Sequence, residues 1–218
     1  MKGDEKMNVE REKTQFELPR GFAGRVTLMF MNRGHKSIYE NVAKALELRS
    51  EDNLLEIACG NGHFIKKYAS HVHSVAGLDL SELCIKLATK KNKKRVVVGN
   101  VEFMQGEATQ LPWEDNKFSV VTSMASFMMF PEPVESLKEM YRVLRPGGRV
   151  VVCIEWNTED GKDHSKEIKK YGMQLWAEND VRNMLKEAGF ADIAIIYAKG
   201  IMMPKMMIAR GLKQWQSH

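Results

Sequence analysis

Asn53-Leu54-Leu55-Glu56-Ile57-Ala58-Cys59-Gly60-Asn61-Gly62-His63-Phe64 decides how this chain folds. An apolar run carrying one acid enters a turn with two glycines, and a helix-like pattern leaves it. Leu54, Leu55 and Ile57 supply β-compatible residues up to the turn. Glycine lets the backbone turn sharply there, and without a Cβ a ligand can lie directly on the main chain. Amides at the following helix start favour a carboxylate or a phosphate. The dinucleotide fingerprint Gly-x-Gly-x-x-Gly is incomplete, because Ile65 stands where its third glycine belongs. Taken alone, the stretch reads equally as an ordinary strand-to-helix turn.

Outward from it, strand and helix patterns alternate. Strands are predicted over Asn53–Ala58, His73–Leu78 (closed by Asp79), Val101–Gln105, Phe118–Met124, Arg149–Ile154 and Ile193–Tyr197, with a seventh over Lys205–Ala209. Helices are predicted over Gly62–Ala69, from the N-cap candidate Ser81 onward, over Val134–Leu144 and over Glu178–Ala188. Pro146-Gly147-Gly148 reads as a turn. Such alternation implies an α/β fold, a mostly parallel sheet with helices on both faces. Ligands in such sheets bind beyond the carboxyl ends of the strands. Residues 1–15 are polar and read as a flexible tail. Residues 16–50 read as a helical cap, with a helix over Ser37–Leu48 that Ser37 caps together with Glu40. Residues 51–218 complete what reads as a single domain.

Composition fits an ordinary globular chain. With 218 residues, 44% hydrophobic and 28% charged, it can bury one core. No apolar run approaches the ~20 residues that span a bilayer, and Met1–Lys13 lacks a signal-peptide centre. A cytoplasmic location is expected. The three cysteines, Cys59, Cys84 and Cys153, form no Cys-x-x-Cys pair, and no acid cluster accompanies His71 and His73, so no metal site is expected. Net charge is +5. The basic run Lys90, Lys91, Lys93, Lys94 and Arg95 reads as a solvated helix end or as a nucleic-acid patch. No aromatics interleave it, so nucleic acid is not the expected partner. The 15 methionines crowd Met128-Met129 and Met202-Met203 among other places. They are adaptable core filler or, if these four converge, a soft apolar pocket.

The strand ends carry the chemistry. Asp79 lies 19 residues beyond Gly60, a spacing that suits a ribose, since a carboxylate accepts from two vicinal hydroxyls. It also suits a helix-capping acid. Gly106-Glu107-Ala108-Thr109-Gln110-Leu111-Pro112-Trp113 follows the third strand. Together with Leu55-Glu56-Ile57-Ala58-Cys59-Gly60-Asn61-Gly62, Val75-Ala76-Gly77-Leu78-Asp79-Leu80-Ser81 and Met140-Tyr141-Arg142-Val143-Leu144-Arg145-Pro146-Gly147-Gly148, this resembles the class I S-adenosylmethionine-dependent methyltransferases. The likeness is to their small-molecule branch of quinone-biosynthesis and sterol-type enzymes. It covers about residues 50–155, and more loosely 178–210.

That resemblance implies a three-layer Rossmann-like sheet of about seven strands, the last antiparallel, under an N-terminal cap. It implies S-adenosyl-L-methionine as cofactor. Glu56 is then expected at the methionine amino end, and Ala58, Gly60 and Gly62 in the loop on which the cofactor lies. Asp79 is expected on the ribose, Leu80 on the adenine face, Glu107 and Ala108 at the adenine edge, and Ser123 and Met124 along the methionine half. Ala58 departs from a usual glycine, Glu107 from a commoner aspartate, and Ser119 from a usual aspartate. Ala125-Ser126-Phe127-Met128-Met129-Phe130 lacks the histidine pair of many relatives. His35 and Glu155 are the base candidates; His35 reads equally as a cap histidine bonded to backbone. Asn32, Tyr39, Phe127, Met128 and Trp156 are candidate pocket residues. Three readings remain: methyl transfer to a small, partly apolar acceptor, methylation of RNA or protein, and a non-catalytic cofactor-binding partner subunit. No motif specifies an oligomeric state.

Overall fold

A computed structural model describes residues 13–200 and 205–215. Seven strands form one sheet: β1 (Asn53–Ile57), β2 (Ser74–Asp79), β3 (Val101–Gln105), β4 (Phe118–Met124), β5 (Leu144–Ile154), β6 (Ala191–Ala198) and β7 (Met206–Leu212). Their order is β3-β2-β1-β4-β5-β7-β6. β1 to β5 pair in parallel, and β7 inserts antiparallel between β5 and β6. The order reverses between β1 and β4, so the crevice at their carboxyl ends is where a ligand is expected.

Among the described residues, eight α-helices accompany the sheet. α1 (Gly21–Gly34) and α2 (Lys36–Leu46) form the cap region. α3 (His63–Tyr68), α4 (Glu82–Lys91) and α5 (Lys93–Val97) follow β1 and β2, α6 (Pro133–Val143) follows β4, and α7 (Ser165–Tyr171) and α8 (Glu178–Glu187) follow β5. The helical spacing of the apolar residues sets which face each helix buries. Leu137, Met140 and Val143 of α6 join Val181 and Leu185 of α8 against one face of the sheet. Ile38, Val42 and Leu46 of α2 join Phe64 and Ile65 of α3 against the other. All seven residues of β4 are buried, as a central strand covered on both faces requires.

Two sequence expectations change. Ser37 does not cap α2: the helix begins at Lys36, and the Ser37 carbonyl accepts instead from Asn41 Nδ2 at 2.8 Å. α1 begins at Gly21, and Gly24 in its first turn packs closely on Pro19. Pro146-Gly147-Gly148 is not a turn ahead of β5 but a bulge within it. The pairing jumps from Phe118–Leu144 to Val120–Arg149, and Gly147 takes φ +76°. Ahead of α1, Thr14 donates from backbone and hydroxyl to Glu17 Oε2 at 2.8 and 2.9 Å. The remainder of the expected tail, residues 1–12, and Met202 and Met203 lie outside the described residues.

The cap is fastened to the sheet by charge. Arg149, at the jump in β5, meets Asp52 Oδ2 at 2.6 Å, and both side chains are buried. Its guanidinium also donates to the Leu46 and Glu47 carbonyls, which end α2 without intrahelical partners. Ser119 Oγ donates to Asp52 Oδ1 at 2.7 Å and accepts from Asn53 N at 3.0 Å. Serine at the position of a usual aspartate therefore helps hold an aspartate supplied by residue 52. These hydrogen bonds keep the Asp52 carboxyl below its ordinary range despite its burial. Asp52→Ala leaves Arg149 buried without its counter-ion and is expected to cost about 3–5 kcal/mol in urea unfolding. Asp52→Leu combined with Arg149→Met should recover much of that loss. A single variant as stable as wild type would remove the pair from this role.

Candidate active site

A cavity of about 410 Å³ opens at the carboxyl ends of β1, β2 and β4. Its floor is the glycine loop. Ala58, Gly60 and Gly62 all take left-handed backbone, with φ of +56°, +54° and +66°. Cys59 N donates to the Leu78 carbonyl at 3.0 Å, and Gly60 N donates to Asp79 Oδ2 at 2.8 Å, so the loop is tied to the neighbouring strand. Gly60 lines the cavity, but Gly62 does not. A Cβ on Gly62 would stand 2.8 Å from Asn92 Nδ2 and 3.0 Å from Ala88 Cβ. Close packing against α4, rather than a ligand, accounts for that glycine.

Three buried carboxylates mark the site. Glu56, at the end of β1, lines the cavity, and its Oε2 has no hydrogen-bond partner. Burial, reinforced by Asp79, pushes its carboxyl well above the usual range. Asp79 lines the cavity from the end of β2 and accepts from Gly60 N and Ser81 N. Its carboxyl is raised by burial and pulled back in part by those amides. Both readings of Asp79 meet here: it braces the start of α4, which Ser81 caps through Cys84 N, and it faces the cavity. Both acids are held in forms that a cationic or hydroxyl-bearing ligand would relieve.

The third acid, Glu155, sits just past β5 and does not line the cavity. It lies behind His35, with Nε2 of His35 3.5 Å from its Oε1. Burial moves both toward their neutral forms, Glu155 up to about 8 and His35 down to about 4. Of the two base candidates, only His35 reaches the cavity. Tyr39 lines it beside His35, its ring edge-on to the imidazole at 6.1 Å. Burial and the nearby Glu56 and Glu155 raise the Tyr39 phenol.

Leu80, Glu107, Ala108 and Met124 line the cavity as expected for these strand ends. Glu107 is exposed at the rim, whereas Ala108 packs on the core. The loop beyond is pinned from α6. Arg142 donates to the Leu111 and Trp113 carbonyls at 3.0 and 2.8 Å, and Glu139 accepts from Leu111 N at 2.8 Å.

Besides Gly62 and Glu155, four expected residues lie elsewhere. Ser123 is buried away from the cavity and meets Ser126 Oγ at 3.0 Å; Ser126 is the one that lines it. Phe127 and Met128 are core, Phe127 packing against Phe130 and Trp176. Met129 and Phe130 take the lining positions instead. Trp156 stacks on His164 at 5.7 Å outside the cavity. Asn32 falls within α1, and its side chain is outside the described set.

Several lining residues escape a reading of motifs. Lys13, Phe16, Glu17, Pro19, Leu28 and Met31 close the cavity from the cap, and no local pattern assigns them to it. Asn61 lines it too, its Oδ1 held at 2.7 Å by Lys91 Nζ. Burial and then Lys66 lower the Lys91 ammonium to about 8. The basic run thus sends one lysine inward to the glycine loop.

Comparison with known proteins bears on the same region. The family model described as "Methyltransferase domain" matches residues 55–152. A demethylmenaquinone methyltransferase of Geobacillus kaustophilus is 29% identical over 214 residues, covering 85% of this chain and 91% of that protein. Its counterpart in Staphylococcus saprophyticus is 30% identical over 155 residues. The chain spans 65% of that protein's length, and 50% of the Staphylococcus carnosus demethylmenaquinone methyltransferase, which is 35% identical over 124 residues. Among solved structures, a chain of the complex between the Haloferax volcanii Trm112 methyltransferase activator and a methyltransferase superposes with TM-score 0.76 at 19% identity. It covers 90% of this chain and 96% of that one. Haemonchus contortus phosphoethanolamine N-methyltransferase 2, bound to S-adenosylhomocysteine, gives TM-score 0.70 at 16% identity, over 83% of this chain and 53% of that one. At these identities the structural likeness concerns the fold.

The His35–Glu155 pair has a pH signature. Glu155 keeps its proton to about pH 8 in the folded chain but loses it near 4.5 when unfolded. Through that window the folded state binds more protons, so this contribution to stability falls as pH rises. His35 acts oppositely between about 4 and 6.5, where the unfolded chain takes up the proton that the folded one excludes. Glu155→Gln removes the falling limb. Its urea midpoint relative to wild type should rise steadily between pH 4.5 and 8. A variant that is instead destabilised at pH 8 would identify a charged His35–Glu155 pair.

Proposed function

We propose that the chain is a class I S-adenosylmethionine-dependent methyltransferase, on its likeness to the methyltransferase domain and to the demethylmenaquinone methyltransferases, and that it moves a methyl group to a small, partly apolar acceptor. The observation that carries this is the unpartnered, buried carboxylate oxygen of Glu56 in the same cavity wall as Asp79 and the glycine loop. An amino group at Glu56 and a diol at Asp79 would supply what these acids lack. The residues present fit S-adenosylmethionine: Glu56 for the amino end, Gly60 and Asn61 beneath the amino-acid half, Asp79 for the ribose. Leu80, Ala108 and the longer-reaching Glu107 would serve the adenine.

Bound there, the cofactor supplies a methyl group already activated by a sulfonium. The chain's own task is to orient the acceptor and exclude water. Leu28, Met31, Met129 and Phe130 provide an apolar wall suited to a flat or aliphatic acceptor. His35, neutral near pH 7, is the group that can face an acceptor proton, and Glu155 positions its ring from behind. Demethylmenaquinone in its reduced form is the first acceptor to test, on the names of the curated relatives. A small-molecule acceptor is favoured over RNA or protein because a covered cavity, rather than an open basic face, adjoins the glycine loop.

Calorimetry with S-adenosylhomocysteine tests the cofactor site. Asp79→Ala and Glu56→Gln should each weaken binding by about 1–3 kcal/mol; unchanged affinities would remove both from these roles. His35→Ala should leave that affinity within about twofold while lowering kcat by about 10²-fold if it handles the acceptor proton. Assays with quinols, phenols, thiols and amines identify the acceptor class. Transfer only to RNA or protein would overturn the small-molecule reading.

A further inference from the structure

α1 has two unlike sides. Gly24, Leu28 and Met31 face inward: Leu28 is buried over the glycine loop, and Leu28 and Met31 line the cavity. On the opposite side, Phe22, Met29 and Phe30 are 82%, 58% and 65% exposed. At 3.6 residues per turn, positions 22, 26, 29, 30 and 33 share that outer side. Arg25, Arg33 and the adjoining Lys36 are exposed among them, and α1 carries no acidic residue. Large exposed aromatics on a helix that roofs a cavity are unusual in a freely soluble surface. The described chain places nothing over them.

We propose that the outer face of α1 docks the protein on an anionic lipid bilayer, so that the cavity beneath it opens next to the membrane surface. Phe22, Met29 and Phe30 enter the headgroup–acyl boundary, and Arg25, Arg33 and Lys36 pair with anionic headgroups. That division of labour defines an interfacial helix rather than a spanning one. No helix among the described residues is long and apolar enough to cross a membrane, so attachment is peripheral and reversible. Charge complementarity selects the bilayer over a second copy of this chain: two α1 faces brought together would oppose Arg25 and Arg33 to their own like charges. An apolar acceptor dissolved in lipid would then reach Leu28 and Met31 around one helix. Docking itself does not depend on which acceptor is used.

Co-sedimentation of the full chain with phosphatidylcholine vesicles, with and without phosphatidylglycerol, tests this. Wild type should pellet with the anionic vesicles and be released by salt. Phe22→Ser combined with Phe30→Ser should lower partitioning by about tenfold or more, and Arg25→Gln combined with Arg33→Gln should remove the preference for anionic lipid. Affinity for S-adenosylhomocysteine should be unchanged in both variants, which separates this result from failure of the cofactor site. The proposal falls if wild type stays in the supernatant with both vesicles, or if the phenylalanine variant binds as wild type does. It also falls if sedimentation velocity shows a dimer that the phenylalanine variant converts to monomer, because the face is then a self-interface.

Discussion

A single buried carboxylate, Asp79, holds the working parts of this fold in register. One of its oxygens accepts from Gly60 N, the other from Ser81 N. Ser81 in turn caps α4 and donates from its hydroxyl to the Pro19 carbonyl at 2.6 Å. The glycine loop, the helix after β2 and the entrance to the cap are therefore joined through two residues. Each oxygen keeps a further lone pair for a ligand, and the amides hold the carboxylate in one orientation. A ligand on Asp79 would be sensed by the loop beneath it and, through Ser81, by the segment that closes over it. Lid and floor share one anchor, so their separation is not free to vary.

The buried acids give the cavity a chemistry that a positively charged guest would match. Burial and the neighbouring Asp79 both disfavour ionisation of Glu56. Lys91, beside the glycine loop, holds Asn61, and Arg149 is committed to Asp52 at the other end of β1. Burying unpaired carboxylates is expensive unless they are neutralised or matched. Proteins retain such groups where a ligand completes them. A cofactor with an ammonium and a sulfonium would complete this set, whereas a pyrophosphate would add like charge. That agrees with Ile65 in place of the third dinucleotide glycine.

The sheet was legible from periodicity because apolar runs and turn residues mark each strand directly. The cavity wall was legible for a related reason: Glu56, Gly60, Asp79 and Ala108 line it from strand ends, and a strand end has one address in a parallel sheet. The segment after β4 was not. Ala125 takes left-handed backbone at φ +56°, and Phe127–Met129 form a single 3₁₀ turn. Alternation then stops applying, and neighbouring residues point about a third of a turn apart. Met129 and Phe130 face the cavity while Phe127 and Met128 face the core, an inversion that a count along the strand cannot deliver. Glu155 fails similarly. Its place past β5 was readable, but His35 standing between it and the cavity depends on how the cap docks, 120 residues away in sequence.

Ala58 shows how a local rule is broken and compensated. The family pattern has glycine at this position, and the backbone here takes the left-handed conformation that glycine adopts freely, at φ +56°. For alanine that conformation costs roughly 1–2 kcal/mol. Ala58 also packs against the larger core cluster, as does Ala108 across the cavity mouth. Burying a methyl there returns about 0.8 kcal/mol, and alanine loses less chain entropy than glycine on folding, by roughly 0.5–1 kcal/mol. The opposing effects nearly cancel, so the substitution need not weaken the fold. What it changes is freedom. A glycine here would let the loop sample several conformations, whereas alanine, with Gly60 tied to Asp79 and Gly62 wedged against Asn92, leaves it one. The floor is thereby organised before a ligand arrives, and less binding energy is lost in ordering it.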